Sequence, residues 1–264
     1  MDIRMKMFKK SLSVLLAAIM LFSFAAFAFA ADGSVKLRVE GIDKCFFYGD
    51  VEIEDGATVQ QLFEAAAAKD KSFTFTVEDS DYGPYLTAIN GLAAGTKTEK
   101  MWDGWQYTIN GVDGFSFSTD TVKNGDSVLF YYSDQWGETG FYFPEIDTSE
   151  LDSEGKLYFT ITETVYADDG TPSQEKTRLK DYTLIWDGKK IKSEKDGAAK
   201  IPFSSLKSGS HSVQIEKYAS NGLPLVLRFE PDFTVNTDMG MGNLKIVLVF
   251  FRRMISLVSS VLGK

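Results

Sequence analysis

Two side chains in this sequence could form a nucleophile and its base, and each type occurs once: Cys45 and His211. Cys45 sits in the apolar run Cys45-Phe46-Phe47-Tyr48, where a thiol behaves as a small buried hydrophobe. His211 shares a strand face with Val213 and Ile215, the setting of a core histidine rather than a general base. A Ser-His-Asp system would have to use His211, and no G-x-S-x-G surrounds any serine. A thiol protease would have to join Cys45 to His211 across two predicted domains. One cysteine and one histidine cannot build the usual N/S transition-metal site. No G-x-G-x-x-G and no P-loop appears. Asp79-Ser80-Asp81 and Asp168-Asp169-Gly170 offer oxygen ligands, but neither completes an EF-hand loop. Carboxylate pairs abound, yet both domains look too small for a sugar cleft with two catalytic acids. The expectation is a protein that is not an enzyme, with no metal and no resident cofactor.

The aromatic residues carry more information. Met101-Trp102-Asp103-Gly104-Trp105-Gln106-Tyr107 crowds three large rings around one glycine. Tyr82 and Tyr85 flank Gly83-Pro84 just upstream. Aromatics on a β edge or loop can stack on a flat ligand or a sugar ring. The candidate ligand-binding set is therefore Trp102, Trp105, Tyr107, Tyr82, Tyr85 and Asn110. A competing reading makes Trp105 and Tyr107 core residues beneath a helix, with Trp102, Tyr82 and Tyr85 on loops.

These residues need a scaffold, and the pattern supplies one. Val35, Leu37 and Val39 alternate with Lys36, Arg38 and Glu40, a period of two that turns one face inward. Phe46 to Ile53 is a second strand, turned by Asp55-Gly56. Thr58 then opens a helix with Gln61 three residues on, a capping box. Val59, Leu62, Phe63 and Ala66 follow at helical spacing. Phe73 to Val77, Tyr85 to Asn90 and Trp105 to Ile109 read as strands, and Asn90-Gly91 and Asn110-Gly111 as tight turns. Ser127 to Tyr132 is apolar on both faces, as in a central strand. Two strands, a helix, then more strands is a β-grasp order. Residues 134–155 read as a linker, too aromatic to be simply floppy and expected to dock in part on a neighbouring domain. Residues 156–236 read as an all-β sandwich. Its strands fall at Leu157 to Val165, Tyr182 to Trp186, Ala199 to Phe203, Ser212 to Tyr218 and Leu223 to Phe229. Asp169-Gly170, Asp187-Gly188 and Asp196-Gly197 mark turns.

The two ends differ from the middle. Arg4, Lys6, Lys9 and Lys10 precede an apolar run from Leu12 to Phe29 that closes on Ala28-Phe29-Ala30. This is a secretory signal with cleavage near Ala30/Ala31, so residues 1–30 are expected to be removed and the protein to work outside the cytoplasm. The formal charge of −9 becomes −12 once the leader takes away three net positive charges. An acidic surface argues against a nucleic-acid partner. One cysteine leaves no internal disulfide. In the tail, 237–264, residues 243–264 fall on a helical wheel with a broad apolar face opposite Lys245, Arg252 and Arg253. A basic amphipathic helix suits an anionic membrane surface; Phe250, Phe251, Arg252, Arg253, Ile255 and Leu262 are its candidate membrane contacts. The alternatives are packing on the protein or a second copy, and a span of the bilayer.

Val51 to Ala66, Tyr85 to Gly91, Trp105 to Gly111 and Asn124 to Tyr132 resemble the transcobalamin-like C-terminal domain, in order, over about residues 35–133. This β-grasp family is common in exported bacterial proteins. In transcobalamins the domain closes over cobalamin beside a helical barrel. No such barrel is legible in this sequence, so the resemblance implies a ligand-facing role, with a cobalamin-like ligand as its narrowest form. Residues 156–235 more loosely resemble bacterial immunoglobulin-like or carboxypeptidase-regulatory-like modules, through Asp196 to Ile201 and Leu206 to Val213. The expected fold is mainly β: an α+β β-grasp domain over 31–133 and an all-β immunoglobulin-like sandwich, with a signal helix before and an amphipathic helix after. The expected function is a secreted or cell-surface binding protein with an unknown ligand or surface-protein partner. The alternatives are a structural or adhesive protein and a carrier of a cobalamin-like or other flat ligand.

Overall fold

The computed structural model describes residues 33–80, 83–134, 140–149, 151–167, 169–240 and 243–247. The expected signal segment lies outside the described residues. The chain is mainly β. Its first half holds β1 (Gly33–Glu40), β2 (Cys45–Ile53), β3 (Ala57–Thr58), α1 (Val59–Lys69), β4 (Phe75–Ser80), β5 (Gly83–Ile89), β6 (Leu92–Ala93), β7 (Asp103–Ile109), β8 (Val112–Asp113), β9 (Thr121–Val122) and β10 (Ser127–Asp134). The main sheet runs β2-β1-β10-β7-β8, with β10 parallel to β1 and antiparallel to β7. A small sheet β4-β5-β6 and the pair β3-β9 complete this half.

The capping box starts α1 as its sequence demands. Gln61 N donates to Thr58 Oγ1 at 3.2 Å, and Thr58 N donates back to Gln61 Oε1 at 2.8 Å. Val59, Leu62, Phe63 and Ala66 are the buried stripe of α1. They meet Val35, Leu37, Val39, Val128 and Phe130 from the sheet. Phe63 is the centre of this core, with the rings of Phe73, Phe75, Phe117 and Phe130 at 4.5–5.4 Å. Each such buried side chain contributes about 1.5–3 kcal/mol of transfer free energy. Asn90-Gly91 and Asn110-Gly111 both adopt positive φ at both positions, the type I′ geometry that joins β5 to β6 and β7 to β8.

β10 is apolar on both faces because the sheet is covered on both. Its far face carries Arg38 and Glu40 of β1 and Leu129 and Tyr131 of β10, all buried. Phe141 stacks on Tyr131 at 4.6 Å, and Phe143 meets it edge-on at 5.5 Å.

The second half is all-β. It contains β11 (Glu145–Asp147), α2 (Leu151–Glu154), β12 (Lys156–Tyr166), β13 (Pro172–Arg178), β14 (Thr183–Trp186), β15 (Lys189–Lys192), β16 (Ala199–Lys200), β17 (Gly209–Glu216), β18 (Thr234–Gly240) and β19 (Asn243–Val247). One sheet is β11-β12-β13, with β16 also on β12; the other is β15-β14-β17-β18-β19. Leu157, Phe159 and Ile161 face Leu184, Trp186, Val213 and Ile215 in a second core. Three expectations change here. Residues 134–155 are not only a connection: β11 pairs with β12, and Leu151 enters the second core, because Ile146 and Leu151 bring apolar surface that only that core can bury. Leu223 to Phe229 is not a strand. Pro224 offers no N–H for a ladder, and the segment makes isolated bridges from Pro224 to Tyr218 and from Val226 to Tyr142. Residues 243–247 are strand, not the first turn of an amphipathic helix: β19 pairs antiparallel with β18. Leu244, Lys245 and Ile246 satisfy a period of two as well as a helical one, and pairing with β18 decides between them. The rest of that expected helix, with Phe250, Phe251, Arg252, Arg253, Ile255 and Leu262, lies outside the described residues.

The two halves meet through a buried charge cluster. Arg38 is 2% exposed and Glu40 4%. Arg38 donates from Nε to Glu40 Oε1 at 2.9 Å, and from Nη2 to the carbonyls of Arg228 and Phe229 at 2.5 and 2.8 Å. Arg228 reaches back to Glu40 Oε2 from Nε at 3.1 Å and to the Gly41 carbonyl from Nη2 at 3.2 Å. Tyr48 donates to Asp232 at 2.9 Å beside it. The void left at this junction is only about 10 Å³. Removing one partner of such a cluster leaves an uncompensated buried charge. Arg38→Ala is therefore expected to lower unfolding free energy by about 3–5 kcal/mol in urea denaturation; a loss under about 1 kcal/mol would place the pair among ordinary surface bridges.

Candidate functional site

The aromatic set divides cleanly in space. Trp105 is half-buried in the first core. Its indole N–H donates to the Leu92 carbonyl at 2.9 Å, and its ring meets Tyr132 edge-on at 5.2 Å. Tyr107 stacks on Phe130 at 4.7 Å and donates to Asp120 at 2.6 Å. Gly114 lies so close to this ring that a Cβ there would sit 1.9 Å from it. Asn110 locks its turn, with Nδ2 donating to Asp126 at 2.9 Å and Oδ1 accepting from Ser127 N at 2.9 Å. These three half-buried residues help to build the scaffold. Trp102 and Tyr85 are exposed, at 47% and 57%. Tyr82 lies outside the described residues.

Trp102 stands at the end of the loop that joins β6 to β7, and one carboxylate fixes that loop. Asp103 is buried. Its Oδ2 accepts from Thr96 N at 3.0 Å, from Lys97 N at 2.8 Å and from the Tyr132 hydroxyl. Its Oδ1 accepts from Thr98 N at 2.8 Å and Thr98 Oγ1 at 2.7 Å. Burial alone would raise this carboxyl. The hydrogen bonds from Tyr132, Thr98 and the Lys97 and Thr98 backbone outweigh burial and hold it at about 2. Thr98 Oγ1 accepts from Trp102 N at 3.2 Å, and Lys100 Nζ lies 4.7 Å from the centre of the Trp102 ring. Met101 is exposed beside it, at φ 54°. Tyr85 lies on β5, two residues before Thr87, whose carbonyl accepts from Ala94 N at 2.9 Å, and Gly83 at the start of that strand lies beside Ser118.

A similar device holds a second tip. Asp120 accepts from Tyr107, from Phe115 N at 2.7 Å and from Ser116 N at 3.1 Å. It fixes the backbone at Phe115, whose side chain is 95% exposed. The sequence reading missed Asp103, Asp120 and Phe115. The available signal was the Thr96-Lys97-Thr98 run before an Asp, a composition that favours side-chain-to-backbone turns.

The other chemistry-bearing residues are occupied. The Cys45 thiol donates to the Phe47 carbonyl at 3.1 Å, and burial with the nearby Glu40 charge pushes it up to about 12. His211 is buried, stacked on Trp186 at 4.6 Å. Its Nδ1 lies 2.7 Å from Asp187 Oδ2, and its Nε2 lies 2.8 Å from the Lys207 carbonyl. Among the described residues no three His, Cys, Asp or Glu side chains gather as metal ligands would. An open cleft of about 690 Å³ lies in the second half, away from Trp102, lined by Ile161, Glu163, Thr177, Leu179, Leu225 and others.

Residues 56–134, within the first half, match the family described as Domain of unknown function (DUF4430). No curated protein matches the chain. Among solved structures the chain is similar to haptocorrin in complex with Cbi, at 24% identity over 38% of this chain and 25% of that one, with a TM-score of 0.34. It is also similar to a candidate metal-binding protein from Ruminococcus gnavus ATCC 29149, at 16% identity over 39% of this chain and 97% of that one, with a TM-score of 0.27. The chain thus spans about a quarter of the haptocorrin chain.

The Asp103 knot generates a pH prediction. Its folded-state carboxyl, at about 2, lies below the unfolded value of about 3.9. The stabilisation is complete above about pH 4 and is lost as pH falls through about 2; its size is about 2 kcal/mol. Asp103→Asn is expected to lose that acid-sensitive part. Urea denaturation at pH 7 and pH 3 should show a smaller difference for the variant than for the parent chain; equal differences would remove Asp103 from this role.

Proposed function

We propose that the chain is an exported, non-enzymatic binding protein that recognises a partner through the rigid Trp102 tip of its transcobalamin-like first half. The immunoglobulin-like second half holds that tip at a fixed distance and angle. The observation that carries this reading is an exposed tryptophan on a loop whose backbone is already tied by a buried carboxylate. Such a loop loses little conformational freedom on binding, and an aromatic presented this way is a common energetic anchor of interfaces. Met101 and Lys100 extend the same surface. The two cavities described above are lined by other residues. Export is supported by the leader, with its basic start, apolar run and Ala28-Phe29-Ala30 end.

The test compares the parent chain and Trp102→Ala for binding to cells that export the protein. The variant is expected to bind at least about tenfold more weakly, as a central aromatic anchor would, with an unchanged melting temperature. Equal binding would overturn the reading. A tryptophan-fluorescence titration with cobinamide, hemin and oligosaccharides separates the carrier alternative: a saturable change lost in Trp102→Ala would make the partner a small ligand. Membrane contact by the tail is tested separately. A chain ending at Val247 keeps β19, and is expected to sediment with anionic liposomes less than the full chain; equal sedimentation would remove the tail from membrane binding.

A further inference from the structure

We propose that the outer edge of β13 is a second binding site, which takes up an extended peptide in which apolar and acidic residues alternate. β13 is the last strand of its sheet, and among the described residues nothing pairs with its outer side. From Thr162 to Lys176 the β12–β13 ribbon runs beyond the core with almost every side chain exposed, including Val165 and Tyr166. A two-stranded ribbon of this kind is marginal in water by itself, and an open edge is a template for a further strand.

The register says which groups are offered. Leu179 N donates to Phe159 O at 2.7 Å, and Ala167 N to Thr171 O at 3.0 Å, so the odd-numbered residues of β13 bond inward to β12. The backbone N–H and C=O of Gln174 and Lys176 therefore point outward. Pro172 has no N–H and closes the edge at its start.

Side chains define the two faces of the incoming strand. The odd-numbered face carries Glu175 opposite Glu163, then Thr177 and Leu179, and beside these last two it opens into the 690 Å³ cleft, lined by Ile161 and Leu225 as well as Glu163, Asp196 and Lys217. Apolar residues of the peptide belong on that side, against Thr177 and Leu179, since carboxylates there would meet Glu163 and Glu175. The even-numbered face carries Lys176 and Arg178. Lys176 also reaches Glu145 at 2.7 Å, and Arg178 lies 3.8 Å from the centre of the Tyr158 ring, so both are held near the sheet. Carboxylates of the peptide belong on this side, since opposite charges in neighbouring strands attract. A period of two in the ligand thus matches a period of two in the edge. This is strand addition, in which main-chain bonds give affinity and alternate side chains give selectivity.

The probe is an acetylated, amidated, fluorescein-labelled heptapeptide of alternating valine and glutamate, compared with its valine–lysine counterpart, on the full chain. The glutamate peptide is expected to bind at least about tenfold more tightly. Its binding should slow hydrogen exchange at the Gln174 and Lys176 amides. Lys176→Pro removes one outward donor without touching the bonds to β12, and is expected to weaken binding about tenfold or more; Lys176→Ala, which keeps the donor, should weaken it far less. Equal binding of the two peptides, no saturable binding, unchanged exchange at those amides, or a concentration-dependent dimer through the same edge would each overturn the proposal. The peptide comparison and the exchange measurement use the unmutated chain, so they stand even if Lys176→Pro fails to fold.

Discussion

The contact between Arg38, Glu40 and Arg228 sets the conditions for everything else in this molecule. A five-stranded sheet has two faces, and α1 can cover only one. On the other face two charged side chains of β1 are sealed from water, and neither is tolerable alone. Each is made acceptable by the second half of the chain, which supplies one guanidinium and two main-chain carbonyls. The carbonyls at Arg228 and Phe229 are available because that segment is not part of a ladder. Irregular backbone there is a requirement of the junction, since a regular strand would have spent those acceptors on its neighbour.

Rigidity at the Trp102 tip follows a related logic at smaller scale. A buried carboxylate is expensive unless several donors meet it. Asp103 meets five hydrogen bonds, drawn from a loop with no regular structure of its own and from the hydroxyl of Tyr132 in the central strand. The cost of burying the charge is what organises the loop. Asp120 repeats the arrangement around Phe115 with Tyr107 as the hydroxyl donor. In both places a tyrosine reaches from the sheet to a carboxylate, and the carboxylate presents a nearby apolar side chain to solvent.

Much of this scaffold was legible in the sequence. Periodicity found β1, β2 and β7, the capping box found the start of α1, and Asn90-Gly91, Asn110-Gly111, Asp169-Gly170 and Asp187-Gly188 marked hairpins, because each of these is governed by local chemistry. The doubly apolar Ser127 to Tyr132 announced a central strand, and its second cover was present in the sequence as Phe141 and Phe143, inside the tract read as a linker. What escaped was non-local. Nothing in the vicinity of Leu223 to Phe229 says that Arg38 will claim its carbonyls. Lys245 and its neighbours fit either a helix or a strand until β18 is alongside. The candidate site was partly legible: the pattern offered a reading with Trp105 and Tyr107 in the core and Trp102 and Tyr85 outside it, and the rings packed around Phe130 and Tyr132 decide in favour of that division.

The covered far face of the first sheet also bears on how such a protein can change over generations. A domain that folds alone can be copied into a new gene and arrive complete. Copied alone, the first half of this chain would arrive with Arg38, Glu40 and Tyr131 bare. Copied together with the stretch from Phe141 to Asp232, it arrives with that face already covered. The pair is the unit that carries its own cover.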